Sequence, residues 1–194
     1  MAVIRSDRPL DWVQVAAIAA GEPLELSAEA RSRIAAARVL VEQIVERGIR
    51  AYGVNTGVGA LCDVIVSPSE QRTLSRNILM SHAVGVGAPL GVAETRAIMA
   101  AAVNNFAHGH SGIRLEVADR LVALLNADCL PEVPAFGSVG YLSHMAHIAL
   151  VCIGEGHVRY RGERLKGRDA LQLLGLEPLV LDAKEGLCLV NGTP

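Results

Sequence analysis

Three stretches of this sequence carry side chains whose types and spacing are suited to chemistry. In residues 137–141, Gly137, Ser138, Val139, Gly140 and Tyr141 lead into an apolar run that reads as a helix. A helix start leaves backbone N–H groups unpaired at the positive end of the helix dipole, so Gly137, Ser138 and Gly140 favour an anion or a developing oxyanion. Tyr141 and His144 follow, three apart and therefore on one helical face. A phenol beside an imidazole can pass a proton, and the same pair also serves as plain packing. His82 closes a second predicted helix, where the dipole favours the imidazolium; it suits a ligand contact or a cap on the last carbonyls. The third stretch, 52–59, is glycine-rich and holds Tyr52. Taken alone it is a turn with a packing tyrosine, since a phenol with a pKa near ~10 needs cationic or hydrogen-bonding neighbours to act as a base. His108 and His110 flank Gly109; they read as exposed loop histidines, and no metal site is expected.

Mostly helical elements must position these groups. The pattern predicts helices over 10–20, 27–47 (with Ser27 as N-cap), 67–83 (with Pro68 in the first turn), 92–108, 114–126, 141–154, 168–174 and 182–190. A short strand is expected over 50–54 and a β-hairpin around Gly162, with Gly/Pro-punctuated loops at 85–91 and 130–140. The 194 residues are 51% hydrophobic but only 3% aromatic, so the core must be aliphatic. The net charge of −2, with no basic block, points away from nucleic acid and membrane surfaces. The longest apolar stretch is too short to span a bilayer, the N-terminus has no signal-type apolar region, and the four cysteines lack C-x-x-C spacing. A cytoplasmic protein with free thiols is the expectation.

Longer motifs sharpen this. Residues 52–59 (Y-G-V-N-T-G-V-G), 76–87 (R-N-I-L-M-S-H-A-V-G-V-G), 104–114 (N-N-F-A-H-G-H-S-G-I-R), 131–147 and 184–193 (K-E-G-L-C-L-V-N-G-T) occur in the order found in the aromatic amino acid ammonia-lyases, the histidine ammonia-lyase family, which the chain resembles. The resemblance covers nearly all of this chain and the N-terminal part of a family protein. It implies a mainly α fold with minor β, on a fumarase/aspartase-like scaffold. It also implies a homotetramer and a C-terminal helical bundle supplied by the rest of the protein or by a separate chain. Tyr52 then matches a tyrosine on a mobile loop that transfers protons, His82 a histidine that contacts the substrate side chain, and Asn191 an active-site asparagine.

One departure matters most. The family's Ala-Ser-Gly triplet cyclises and dehydrates to an electrophilic methylidene-imidazolone. Aligned without gaps from Pro131 to His147, that triplet falls on Ser138, Val139 and Gly140, and the serine that must lose its hydroxyl is Val139. Matching the family's own G-S-V-G to 137–140 instead requires a deletion and removes the triplet. No cofactor is therefore expected. Nearby, Tyr141 replaces an aspartate and His144 a proline.

Three functions fit. The first is a carbon–nitrogen lyase without the prosthetic group. It acts on a histidine-like or tyrosine-like small molecule whose leaving group needs no electrophile, such as a quaternary ammonium. Tyr52, Tyr141 and His144 are its candidate catalytic groups; His82, Asn191, Gly137, Ser138 and Gly140 are its candidate binding groups. The second is a hydrolase or amidase on the same scaffold, cut after Pro194 to free an N-terminal nucleophile, with the 137–141 helix start as oxyanion site. The third is a non-catalytic, ligand-binding relative.

Overall fold

In a computed structural model of the chain, residues 4–6 and 8–191 are described. Pro194, where the hydrolase reading puts its cut, lies outside them. Eight α-helices carry the fold among these residues, and the strands are short.

Helix α1 (Trp12–Ala19) opens on a reciprocal cap: Asp11 accepts from Gln14 N at 2.8 Å and the Gln14 side chain accepts from Asp11 N at 3.0 Å. Strands β1 (Ile4–Arg5) and β2 (Leu24–Glu25) pair in parallel beside it. Helix α2 (Ala28–Glu46) starts as expected on Ser27, whose hydroxyl accepts from Ala30 N at 3.1 Å. Helix α3 (Pro68–His82) has proline at its first position.

Helices α4 (Val92–Ala107), α5 (Leu115–Asn126) and α6 (Leu142–Cys152) form the centre. Met99, Val103, Phe106, Leu121, Leu124, Met145 and Ile148 are buried there. Alanines 100, 102, 118, 146 and 149 lie between them and let the helix axes approach. The core is thus aliphatic, and each buried Leu, Ile or Met contributes about 1.5–3 kcal/mol. Arg96 is buried among apolar neighbours because every face of its guanidinium is used. It donates to Ile18 O (2.7 Å), Leu125 O (2.9 Å) and Glu22 O (3.1 Å) and pairs with Asp128 (2.7 Å).

Strand β4 (Leu130–Pro131) pairs with β6 (His157–Tyr160), which forms the expected hairpin with β7 (Glu163–Lys166). Helices α7 (Gly167–Leu173) and α8 (Glu185–Val190) follow; α8 begins three residues later than expected.

Two expectations fail. Residues 50–54 are not a strand. Asn55 accepts from Ala51 N at 2.9 Å and donates to Ile49 O at 2.8 Å, and Val54 N returns to Ala51 O, so the segment is a turn held by an Asn side chain. The loops at 85–91 and 130–140 in turn contain an antiparallel pair, β3 (Val86–Pro89) with β5 (Pro134–Phe136). Glycine and proline mask that pairing in the sequence, because they stand where strand formers are usual.

Among the described residues no helix is long and apolar enough to cross a membrane, and no three metal-ligating side chains cluster. The cysteines are free. Burial pushes the Cys129 and Cys188 thiols up to about 11 and the Cys152 thiol up to about 12. The thiolate is the reactive form, so only half-buried Cys62 is open to alkylation at neutral pH. Iodoacetamide under native conditions, followed by peptide mass mapping, is expected to label Cys62 and spare the other three until denaturant is added.

Candidate active site

Helices α3, α6 and α8 pack against one another, and each carries one of the segments singled out in the sequence. At the end of α3, the His82 ring folds back on its own helix, with Nδ1 2.8 Å from Ile78 O. A carbonyl only accepts, so Nδ1 carries a proton, and Nε2 has no protein partner among the described residues. Capping and ligand contact are thus compatible: one nitrogen caps and the other is free. Beyond His82 the chain turns sharply. Val84 N donates to His82 O at 2.9 Å around Ala83 (φ −79°, ψ 62°), an inverse γ-turn.

The turn leads into β3, and β3 brings in the second segment. Val86 pairs with Phe136, and Gly137 (φ 92°) sits against Val84 O and the Gly85 backbone. Gly85 N donates to His147 Nε2 at 3.1 Å. A Cβ at position 85 would meet that ring nitrogen and Pro134 at 3.1 and 3.0 Å, so glycine gives the approach its room.

The start of α6 is capped in part from within. Ser138 Oγ accepts from Ser143 N at 3.0 Å, so one lone pair of its hydroxyl is already committed. The amides of Val139, Gly140 and Tyr141 have no protein partner among the described residues, which keeps the helix start available to an anion. Val139 itself is 80% exposed. Tyr141 is the N-cap residue, half-buried, and burial pushes its phenol pKa upward. It therefore stays protonated and suits the role of donor. His144 Nε2 and Ser143 Oγ are closed to solvent and lack any hydrogen-bond partner, the only such side-chain atoms among the described residues besides Glu22 Oε2.

The Tyr52 turn docks on the third helix. A Cβ on Gly53 (φ 65°) would stand 2.4 Å from Leu187 of α8. Tyr52 is exposed, and its oxygen accepts from Gly59 N at 3.3 Å, which leaves its O–H free to donate. Asn191, just past α8, lines a cavity of about 310 Å³ with His110, Ser111, Lys184 and Cys188. His108 faces a different cavity, beside Arg8 and Arg33, and both loop histidines are exposed.

The sequence reading missed what holds α8 in place. Glu185 is fully buried. It accepts from Arg114 Nε (2.7 Å), Arg114 Nη2 (2.7 Å), Arg114 N (3.1 Å) and Asp182 N (2.8 Å), and Arg38 lies 3.9 Å away. Arg38, also buried, donates to Ala183 O at 3.0 Å. Hydrogen bonding to Glu185 outweighs desolvation and raises the Arg114 pKa. Lys184 adopts a left-handed conformation (φ 69°), and its ammonium donates to Ser111 O. Gly186 lies flat on α3, where a Cβ would come within 2.3 Å of Ser75 O. Arg114 and Glu185 are 71 residues apart, so no local pattern links them.

These elements and this arrangement are those of the ammonia-lyase and aminomutase scaffold. A model of the aromatic amino acid lyase family matches residues 10–194, and the chain belongs to that family. It is 47% identical over 191 residues to the histidine ammonia-lyase of Deinococcus radiodurans, covering 96% of this chain and 36% of that protein. It is 44% identical over 198 residues to that of Chloroflexus aurantiacus, covering 98% and 38%. The chain thus spans little more than a third of the length of these curated relatives.

Among solved structures, the ergothioneine-degrading enzyme ergothionase from Treponema denticola, in complex with desmethyl-ergothioneine sulfonic acid, superposes with a TM-score of 0.93. It is 30% identical, over 97% of this chain and 39% of that one. Pantoea agglomerans phenylalanine aminomutase has the same score at 33% identity, over 100% and 38%. The histidine ammonia-lyase of Trypanosoma cruzi gives 0.91 at 37%, over 100% and 38%.

Removing one partner of a buried, fully bonded ion pair costs about 3–5 kcal/mol. Glu185→Ala is expected to lose that much stability. Gly186→Ala is expected to cost about 1–3 kcal/mol by forcing α8 off α3. Urea unfolding of the native protein followed by circular dichroism measures both.

Proposed function

We propose that this chain is the N-terminal, site-bearing part of a carbon–nitrogen lyase that works without the methylidene-imidazolone, on a betaine of a histidine-like amino acid. The observation that carries this reading is Val139 at the head of α6. The prosthetic group is made from a serine hydroxyl, valine has none, and no Ala-Ser-Gly triplet occurs anywhere in the chain. The residues present do not fit the group.

The chemistry must then come from the substrate and from ordinary acid–base groups. A trialkylammonium already bears the positive charge that an electrophile would otherwise confer on a plain amine. A base removes the β-proton, the C–H electrons form the new C=C bond, and the Cα–N bond breaks. The nitrogen leaves as a neutral trialkylamine with the bonding pair, and the product is an α,β-unsaturated acid. His144 Nε2, buried and unpartnered, is the base in this reading. Tyr52 serves proton transfer from the loop side, and Tyr141, kept protonated by burial, donates a hydrogen bond. His82 Nε2 and Asn191 bind the polar ring and backbone of the substrate. The open amides at 139–141 and the Gly137–Gly140 turn favour its carboxylate.

The neighbouring ergothioneine-degrading enzyme supports this choice of substrate class, because ergothioneine is itself a trimethylammonium betaine with a histidine-derived ring. The higher identity to histidine ammonia-lyases establishes kinship; Val139, Tyr141 and His144 are where the chemistry would part. In this reading the protein is cytoplasmic and tetrameric, and a C-terminal helical bundle completes the site.

The test is turnover by the native assembled protein of histidine, of tyrosine and of histidine trimethylbetaine, with release of amine and formation of the conjugated acid followed together. Trimethylamine from the betaine and no ammonia from the free amino acids is the expected result. Ammonia from plain histidine at the rate of a prosthetic-group enzyme contradicts the proposal, and turnover of none of them leaves the ligand-binding relative. Tyr52→Phe and His144→Gln are each expected to lower kcat by about 10²–10⁴-fold.

A further inference from the structure

The proposed site uses His82 on α3 and the head of α6, two segments 55 or more residues apart in the sequence. What ties them together is His147, which the proposed reaction does not use. We infer that His147 is a positioning residue for His82. As a neutral imidazole protonated on Nδ1, it accepts the Gly85 N–H and so locks the turn that follows His82 and joins α3 to the β3–β5 pair leading into α6. The part about His82 rests on the proposed function; the lock itself does not.

The geometry is specific. The Gly85 amide is a donor, so at 3.1 Å His147 Nε2 must offer its lone pair. Gly85 is three residues past His82, and the inverse γ-turn at Ala83 leaves no slack between them. On the far side, β3 is already held by the Val86–Phe136 pairing. The chain leaving His82 is thus held at two successive residues, Gly85 and Val86, and the hold nearer His82 is one imidazole nitrogen. Proton uptake on Nε2 would set a donor against a donor and release it.

The surroundings keep the ring neutral at ordinary pH. Desolvation first, and the neighbouring His144 second, lower the His147 pKa from its ordinary 6.5. The groups facing it from other elements are His157 and Arg159 of β6 and Arg164 of β7, which line the same cavity of about 660 Å³. The cavity's carboxylate, Glu132, is paired to Arg164 at 2.7 Å. No acidic group is left over there to stabilise an imidazolium. For a histidine held neutral in the folded state, the unfolded chain binds the extra proton first. The contribution is therefore fully present above pH 6.5 and is lost as pH falls from 6.5 through the lowered folded value.

His147→Gln keeps an acceptor near the Nε2 position but cannot titrate; His147→Leu removes the acceptor. In the native assembled protein at about pH 7.5, His147→Leu is expected to raise KM for histidine trimethylbetaine about five- to tenfold with a smaller change in kcat, and His147→Gln to restore it. The wild-type KM should rise as pH falls below 6.5, and the His147→Gln KM should not follow. Equal KM losses in the two variants, or one pH profile shared by wild type and His147→Gln, overturn the inference.

Thermal unfolding from about pH 5 to 7.5 gives a readout free of the proposed reaction. The His147→Gln midpoint should fall less steeply toward low pH than the wild-type midpoint, and parallel slopes overturn the lock. If the betaine is not turned over while the slopes still differ, the proposed reaction fails and the lock stands.

Discussion

The site depends on one buried carboxylate. Glu185 has no access to water, and a lone carboxylate in that position would cost several kcal/mol or take up a proton. It stays because Arg114 engages both of its oxygens and Asp182 N adds a further bond. This network docks α8 against the start of α5 and the middle of α2. Gly186 then lies on the backbone of α3, Leu187 receives the Tyr52 turn, and Asn191 emerges at the rim of its cavity. An apolar replacement could hold α8 to the core, but not in a fixed register. The directional bonds to Arg114 set which residue of α8 faces α3 and which faces the cavity.

The head of α6 completes this frame in a different way. Most of the protein satisfies its buried polar atoms, and Arg96 shows how thoroughly. At residues 143–144 that rule lapses: Ser143 Oγ and His144 Nε2 are buried and lack partners among the described residues, and beside them the amides of exposed Val139 and Gly140 and half-buried Tyr141 are also unpaired. Such a concentration of unused hydrogen-bonding capacity marks a surface shaped for something else to bind. On the gap-free match to the family, Val139 at the serine position and the departures at Tyr141 and His144 fall within this same patch. In the proposed reading, acid–base groups stand beside the position where the family keeps its electrophile, which is the physical content of the proposed change of leaving group.

Much of the fold was legible in the sequence. Ser27, Pro68 and the apolar periodicities place α2, α3, α4 and α5 to within a residue or two, because caps and helical stripes are local signals. The 50–54 turn was not legible, since its Tyr-Gly-Val run has strand character and only the Asn55 side chain closes it. The β3–β5 pair was hidden by its own glycines and prolines. Of the candidate site residues, Tyr52, His82 and Asn191 came from motifs, and Tyr141 with His144 from departures from the family pattern three apart on one helical face. The residues that hold them, Glu185 with Arg114 and His147 with Gly85, are bound across 71 and 62 positions, and no periodicity reports a contact of that range.

The central claim is that residues 138–140 remain an ordinary peptide, and the most direct measurement of it is the mass of the tryptic fragment 121–159 from the native protein. Trypsin finds no lysine or arginine between Arg120 and Arg159, so the fragment carries the whole head of α6 in one piece. The account predicts the mass of the unmodified sequence, with fragment ions that read through Ser138, Val139 and Gly140 without a gap. A fragment lighter by the waters that cyclisation and dehydration remove, with the loss mapped to these three residues, would contradict it.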